Sequence, residues 1–243
     1  MRFTTPLVQG TLIKRYKRFL ADVRLDSGET ITAHCPNTGT MLACSAPDSR
    51  VGLSISANPQ RKYPFTLEMV KNNSTWVGVN TARTNKLVVE ALTKGHIAEF
   101  TDIQTIKTEI KTSQHTRLDL QVLHGASSTA NSTFIEIKSC SLAADGWAMF
   151  PDAVTVRGTK HLHELMRLTA LGHKTCIFFL VQRTDAERFC PAAHIDSLYS
   201  EALQQAAAAG VMVLAYQAEI SPQEIQVIRS LPCFLSARPF IVS

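Results

Sequence analysis

The sequence predicts an α/β (α+β) protein in two parts: a small N-terminal β-barrel and a C-terminal domain built on a mixed sheet. Three observations carry this reading. Residues 7–80 break into short apolar or alternating runs separated by turn chemistry, with no strong helix among them. Beyond Asn80, amphipathic helical stretches alternate with strand-like runs. Thr175 to Val181 is continuously apolar, as a strand buried on both faces should be.

In the first part, strands are expected at Leu12 to Leu25, Thr30 to His34, Val51 to Ile55, Phe65 to Val70 and Trp76 to Val79. The turns between them are Asp26-Ser27-Gly28, Cys35-Pro36-Asn37-Thr38-Gly39, Ala57-Asn58-Pro59 and Asn72-Asn73-Ser74. Five strands in so short a stretch are what an OB-like barrel needs. The division falls near residue 82, giving 1–82 and 83–243 as the two domains.

In the second part, Asn85 to Leu92 reads as a helix ending near Gly95. Strand-like runs follow at Ile106 to Ile110, Leu118 to Leu123 and Thr133 to Ile137, with His124 to Ser132 as a polar hairpin loop. Thr159 to Leu171 places Leu162, Leu165, Met166 and Ala170 on one helical stripe and is stopped by Gly172. Asp196 is suited to cap a helix running to Ala209, with Gly210 beyond its end. Val211 to Tyr216 is a further strand, and Ser221-Pro222 is expected to open a short last helix.

Composition excludes several classes. With 45% hydrophobic residues the chain is not disordered, and no uncharged apolar run reaches the length of a membrane span. The six cysteines contain no Cys-x-x-Cys pair, so they read as reduced thiols and not as a zinc site or disulfide framework. No Gly-x-Gly-x-x-Gly, Walker A or Gly-x-Ser-x-Gly motif occurs, which argues against a nucleotide cofactor and a serine hydrolase. A soluble cytoplasmic protein is expected, with no membrane partner and with its oligomeric state left open, a dimer being allowed.

The net charge of +5 lies wholly in residues 1–80, which carry ten Lys/Arg against five acids. That asymmetry suggests a polyanionic partner. The densest stretch is Lys14-Arg15-Tyr16-Lys17-Arg18-Phe19, and Arg61-Lys62 beside Tyr63 repeats the theme. On a strand, Lys14, Tyr16 and Arg18 would share one face and Arg15, Lys17 and Phe19 the other. Cations for phosphates with rings for bases suit single strands or splayed nucleic acid. The competing explanation is a solvated edge strand protected by its charges. Asn37-Thr38-Gly39 is turn chemistry first and a phosphate-contacting loop second.

A second constellation concerns catalysis. Asp119 interrupts an apolar strand, and Glu136 and Lys138 share one face of another, opposite Ile135 and Ile137. Three charges on the inward side of neighbouring strands are costly unless paired or metal-bound. Asp119 and Glu136 could hold a Mg²⁺ or Mn²⁺ ion, with Lys138 orienting a water for attack on a phosphodiester. This has the form of the PD-(D/E)XK nuclease pattern, in which an upstream helical glutamate often joins the site, and Glu90 is the candidate. Glu109-Ile110-Lys111 also matches acid-x-Lys, so the triplet gains meaning only from its strand context. The alternative is a buried ion pair that fixes the sheet. His161 and His163 cannot share one helix face as a zinc pair, although His161 could face the sheet with Lys160.

Several segments together resemble the bacterial sugar fermentation stimulation protein family. They include Thr11 to Val23, His34-Cys35-Pro36-Asn37-Thr38-Gly39, Arg61-Lys62-Tyr63-Pro64, Arg117-Leu118-Asp119, Ile135-Glu136-Ile137-Lys138-Ser139, Phe150-Pro151-Asp152-Ala153-Val154-Thr155 and Lys160-His161-Leu162. The resemblance covers residues 1–232 and leaves out the tail from Cys233 to Ser243. It implies an OB-like domain before a nuclease-like domain, DNA binding without marked sequence preference, and a regulatory role in sugar (maltose) metabolism. It also implies that Asp119, Glu136 and Lys138 form the nuclease-like signature. The sequence departs from the family at Val156 and Thr159, where Glu and Gln are usual.

Overall fold

A computed structural model describes residues 1–42, 44–114, 116–125 and 132–236. Part of the expected 124–132 hairpin loop, and residues 237–243 of the tail, lie outside the described residues.

The N-terminal part contains six strands: β1 (Val8–Tyr16), β2 (Leu20–Leu25), β3 (Thr30–His34), β4 (Arg50–Ile55), β5 (Phe65–Asn72) and β6 (Thr75–Gly78). Their order is β3-β2-β1-β4-β5-β6, and a parallel pairing of His34 with Thr66 joins β3 to β5. That pairing closes five strands into an OB-type barrel, with β6 appended outside the ring. Inward residues such as Leu12, Val23, Val51, Leu53, Leu67 and Val70 form its core. Each such side chain contributes about 1.5–3 kcal/mol by leaving water.

One expectation changes here. Leu12 to Leu25 is a hairpin and not a single strand, because Lys17 and Arg18 adopt positive φ values of 50° and 64° and reverse the chain. Tyr16 then pairs with Leu20. A bulge between Leu12 and Lys14 also shifts the register, so strict alternation from Lys14 to Phe19 does not hold.

The C-terminal part begins with a 3-10 turn (Thr81–Arg83) and α1 (Thr84–Thr93), followed by β7 (Ile103–Lys111), β8 (Arg117–His124) and β9 (Ser132–Cys140). Next come β10 (Leu142–Ala144), β11 (Trp147–Phe150), α2 (Val156–Ala170), β12 (Lys174–Val181), β13 (Arg188–Pro191), α3 (Ser197–Ala208), β14 (Met212–Ile220) and β15 (Ile225–Leu231). The main sheet has the order β15-β14-β12-β9-β8-β7. β9, β12 and β14 run parallel while the outer pairings are antiparallel, so the sheet is mixed.

Helix α1 packs Leu87, Val88 and Leu92 against one face, over Ile135, Ile137, Phe178 and Leu180. Helices α2 and α3 cover the other with Leu162, Leu165, Tyr199 and Leu203, over Ile177 and Phe179. Alternation along β9 therefore sends Ile135 and Ile137 toward α1 and leaves Glu136 and Lys138 toward α2.

Ser221-Pro222 does not open a helix. The Ser221 hydroxyl accepts the N–H groups of Gln223 and Glu224, making a turn, and β15 returns antiparallel to β14. The small sheet β10-β11-β13 was not apparent from the sequence, since its strands are three or four residues long. No helix among the described residues is long and apolar enough to cross a membrane.

Candidate functional site

The register of β8 and β9, with Leu120 opposite Ile135, sets Asp119 close to the chain of β9. Asp119 Oδ2 accepts the Ile137 N–H at 2.7 Å, and Oδ1 accepts Asn85 Nδ2 at 2.8 Å. Two residues apart on β9, Lys138 donates from Nζ to Glu136 Oε1 at 2.7 Å. The same oxygen takes a very short hydrogen bond from His161 Nδ1 on α2. Glu136 is 3% exposed, and its Oε2 is buried without a hydrogen-bond partner.

These surroundings push the two carboxyls apart. Burial first, and then the charge of Glu136, raise the Asp119 carboxyl above its ordinary value, against the Ile137 N–H and Asn85. At Glu136 burial is the largest influence and acts upward. The contacts of His161, chiefly its hydrogen bond, and those of Lys138 together outweigh it and hold the carboxyl below the ordinary value. Paired carboxyls with opposed shifts are a recurrent arrangement at catalytic and cation sites.

Glu90 does not join this group. Five residues along α1 from Asn85, it points about 140° around the helix, and it pairs with Lys94 and, at 3.0 Å, with the N-terminal amine. The contribution of α1 is Asn85. Glu109 is exposed on β7, and its carboxylate lies 3.7 Å from the Arg117 guanidinium on β8. His161 faces the sheet, as the sequence allowed, whereas Lys160 beside it is exposed. Only the packing of α2 on β9 showed the carboxylate contact of His161, because no local pattern links positions 25 residues apart.

A cleft of about 660 Å³ reaches this cluster at Asp119 and His161 and is lined also by Arg117, Arg157 and Lys160. No group of three or more His, Cys, Asp and Glu among the described residues is arranged to hold a metal. Two carboxylates suffice for Mg²⁺, which ordinarily keeps several waters and takes further oxygens from a phosphate. The unpartnered Glu136 Oε2 is the atom a hard cation would satisfy, so these residues fit such an ion.

The basic residues gather at one end of the barrel. The β1–β2 turn and the loop before β5 lie far apart in sequence, yet Leu20 pairs with His34 and His34 with Thr66. Arg61 bonds both partners of the second pair, Thr66 Oγ1 at 2.9 Å and His34 Nδ1 at 3.1 Å. Lys17, Arg18 and Phe19 are exposed at the hairpin turn, and Lys62 is exposed beside the Tyr63 ring. Lys14 leans over Tyr16, and both approach Asp22, at 3.7 and 3.0 Å respectively.

Arg15 has a different part. Its guanidinium donates to the carbonyls of Arg18, Asn37, Gly39 and Thr40 at 2.6–3.1 Å, and so it braces the 37–40 loop. That loop meets the sheet domain, where Asp152 Oδ2 accepts the Met41 N–H at 3.0 Å. A Cβ on Gly39 would lie 2.5 Å from the Asp152 carboxylate, which is why the loop carries glycine there. An interdomain cleft of about 610 Å³ at this junction is lined by Arg15, Arg18, Thr38 and residues 139–142 and 149–155.

An OB-type barrel docked on a mixed sheet, with a carboxylate–lysine cluster on the β9 face, defines a two-domain protein of barrel-plus-mixed-sheet organisation. The chain belongs to the sugar fermentation stimulation protein family. The family's N-terminal OB domain matches residues 13–79, and its sugar fermentation stimulation protein RE domain matches residues 82–224.

Among curated relatives, a sugar fermentation stimulation protein homolog of Desulfotalea psychrophila is 52% identical over 236 residues, 97% of this chain and 96% of that protein. A homolog from Pelobacter propionicus is 48% identical over 230 residues, 95% of this chain and 98% of that one. Among solved structures, Pyrococcus furiosus SfsA in complex with Ca²⁺ superposes with a TM-score of 0.86 at 25% identity, covering 96% of this chain and 98% of that one.

Proposed function

We propose that this chain binds DNA with little sequence preference through the basic end of its barrel, and that Asp119 and Glu136 hold a Mg²⁺ or Mn²⁺ ion in a nuclease-like site. The observation that carries the cation site is Glu136 Oε2, a buried carboxylate oxygen without a partner, with the half-buried Asp119 carboxylate as its neighbour. Ca²⁺ in the Pyrococcus furiosus relative is in keeping with a hard-oxygen site. The DNA reading is supported by the convergence of Lys17, Arg18, Arg61 and Lys62 around the barrel seam. Residues 153–157 line both clefts in turn, so a strand lying along the hairpin would continue toward Asp119.

A second reading, a divalent-cation-dependent nuclease selective for DNA structure, is favoured by Lys138. Its ammonium is fixed at the carboxylate cluster, and Arg157 and Lys160 stand at the same cleft to receive phosphate oxygens. A cation held there supplies Lewis-acid charge to a phosphodiester. The stimulation of sugar fermentation that names the family, maltose use included, then follows from DNA binding in the cytoplasm.

Titration calorimetry of Mg²⁺ and Mn²⁺ into the wild type and Glu136→Gln, alongside cleavage assays on single-stranded, duplex and branched DNA, tests both readings. Cation binding lost in Glu136→Gln supports the site, and cation-dependent cleavage makes the protein an enzyme. DNA binding without cation binding removes the site and leaves a DNA-binding protein on a nuclease-type scaffold.

A further inference from the structure

The two oxygens of Glu136 stand in different surroundings. Glu136 Oε1 accepts from two donors, Lys138 Nζ and His161 Nδ1, while Oε2 accepts from none. The two donors differ mechanically. Lys138 reaches the carboxylate on a flexible four-carbon stem that can follow a rotation of the glutamate. His161 is 6% exposed and projects from the first half of α2, whose N-cap Thr155 is itself bonded to Asp196 Oδ2 at 2.8 Å. Its burial and short side chain give the imidazole less freedom than the lysine to follow such a rotation.

The tautomer of the ring is assigned from the next residue out. Arg157, one turn earlier on α2, donates from Nε to His161 Nε2 at 3.4 Å. Arginine can only donate, so the network assigns Nε2 as an acceptor and places the ring proton on Nδ1, facing Glu136. Lys138 Nζ, 3.5 Å from Nδ1, competes for the same oxygen and not for the ring. Residues beyond the ligands set ligand orientation in this way at many metal sites, and their loss typically weakens metal affinity 10- to 100-fold.

We infer that His161 is a positioning residue for the cation site: it pins Glu136 Oε1, with Arg157 holding the donating tautomer, so that Oε2 is turned to the ion. The inference rests on the cation site proposed above. It adds a residue that touches neither substrate nor ion.

The test uses the full chain and Mn²⁺ as the probe, with calorimetric affinity and the melting temperature of the metal-free protein read in parallel. His161→Phe keeps the ring shape and removes the donor. His161→Asn keeps an amide N–H near the place of Nδ1. Arg157→Met leaves the ring but frees its tautomer. The expected result is an Mn²⁺ affinity about 10- to 100-fold weaker in His161→Phe, largely restored in His161→Asn and intermediate in Arg157→Met. A merely structural role would lower the melting temperature and leave affinity unchanged.

Wild-type affinity in His161→Phe, or equal losses in His161→Asn and His161→Phe, would overturn the inference while leaving the cation site standing. If His161→Phe does not fold, wild-type affinity in Arg157→Met together with a full loss in His161→Asn overturns it. No Mn²⁺ binding by the wild type would overturn the cation site and this inference with it.

Discussion

Arg83 clamps Glu68 through two hydrogen bonds, Nε to Oε2 at 2.6 Å and Nη2 to Oε1 at 2.8 Å. Glu68 is 1% exposed on barrel strand β5, and Arg83 closes the 3-10 turn that leads into α1, so the pair ties one domain to the start of the next. Ser54 and Asn80 complete the coordination of the carboxylate, which is therefore fully satisfied. Arg83→Ala would leave a buried, uncompensated charge, at a cost of about 3 kcal/mol. The melting temperature should fall by roughly 10 °C. Replacing both residues by methionine should recover part of that loss, since no lone charge then remains in the interior. A thermal scan of the three proteins checks both effects.

The hairpin turn separates two kinds of cation. Lys17→Glu with Arg18→Glu should weaken DNA binding and flatten the slope of log Kd against log salt by about one to two, one phosphate contact per side chain. Arg15→Ala should act otherwise, lowering thermal stability by releasing three carbonyls of the 37–40 loop and that of Arg18 in the hairpin turn. Binding isotherms at several salt concentrations decide the first outcome, and melting curves the second. An unchanged salt slope in the double charge reversal would place the DNA elsewhere on the protein.

At the carboxylate cluster, Glu136→Gln and Lys138→Ala should diverge. Glu136→Gln removes the charge that attracts a cation and should abolish measurable Mn²⁺ binding. Lys138→Ala should bind Mn²⁺ within a few fold of wild type, because His161 still holds Oε1, while any cleavage activity falls by about 10²–10⁴. A buried ion pair serving the fold alone would instead show as lost stability in both variants.

Asp185 provides a pH test away from the site. Burial pushes its carboxyl upward, but the two hydrogen bonds from Arg183, each 2.6 Å, outweigh this and hold it below the ordinary value of 3.8. A depressed carboxyl contributes stability that is complete above its unfolded value and is lost as pH falls through the folded one. The Arg183 side chain is 4% exposed and Asp185 38%, so Asp185→Asn should cost ~2 kcal/mol at neutral pH, less than a fully buried pair. The gap between wild type and Asp185→Asn in urea unfolding should shrink as pH drops below about 4.

Much of this architecture is local and therefore legible in the chain. Period-two runs marked off the barrel strands, the Thr175 to Val181 run marked the central strand, and Asp196 and Gly210 bracketed α3, where Asp196 Oδ1 accepts the Tyr199 N–H. Asp119, Glu136 and Lys138 could be picked out because charge inside an apolar strand has few explanations. The hairpin at Lys17–Arg18 was missed because two basic residues at positive φ carry no glycine or asparagine signal. The final strand was misread because Ser-Pro serves equally to open a helix or a turn.

By itself, the sequence determined the barrel-then-sheet order, the face of β9 that bears Glu136 and Lys138, and the concentration of positive charge in the first 80 residues. Those properties depend on residue type and on the periodicity of the backbone. Only the tertiary structure decided that Asn85 and not Glu90 faces Asp119, that His161 holds Glu136 from α2, and that Arg15 braces a loop. Each of these depends on the rotation of a helix against the sheet or on a turn that brings distant carbonyls together. Neighbours brought together by packing leave no trace in sequence spacing.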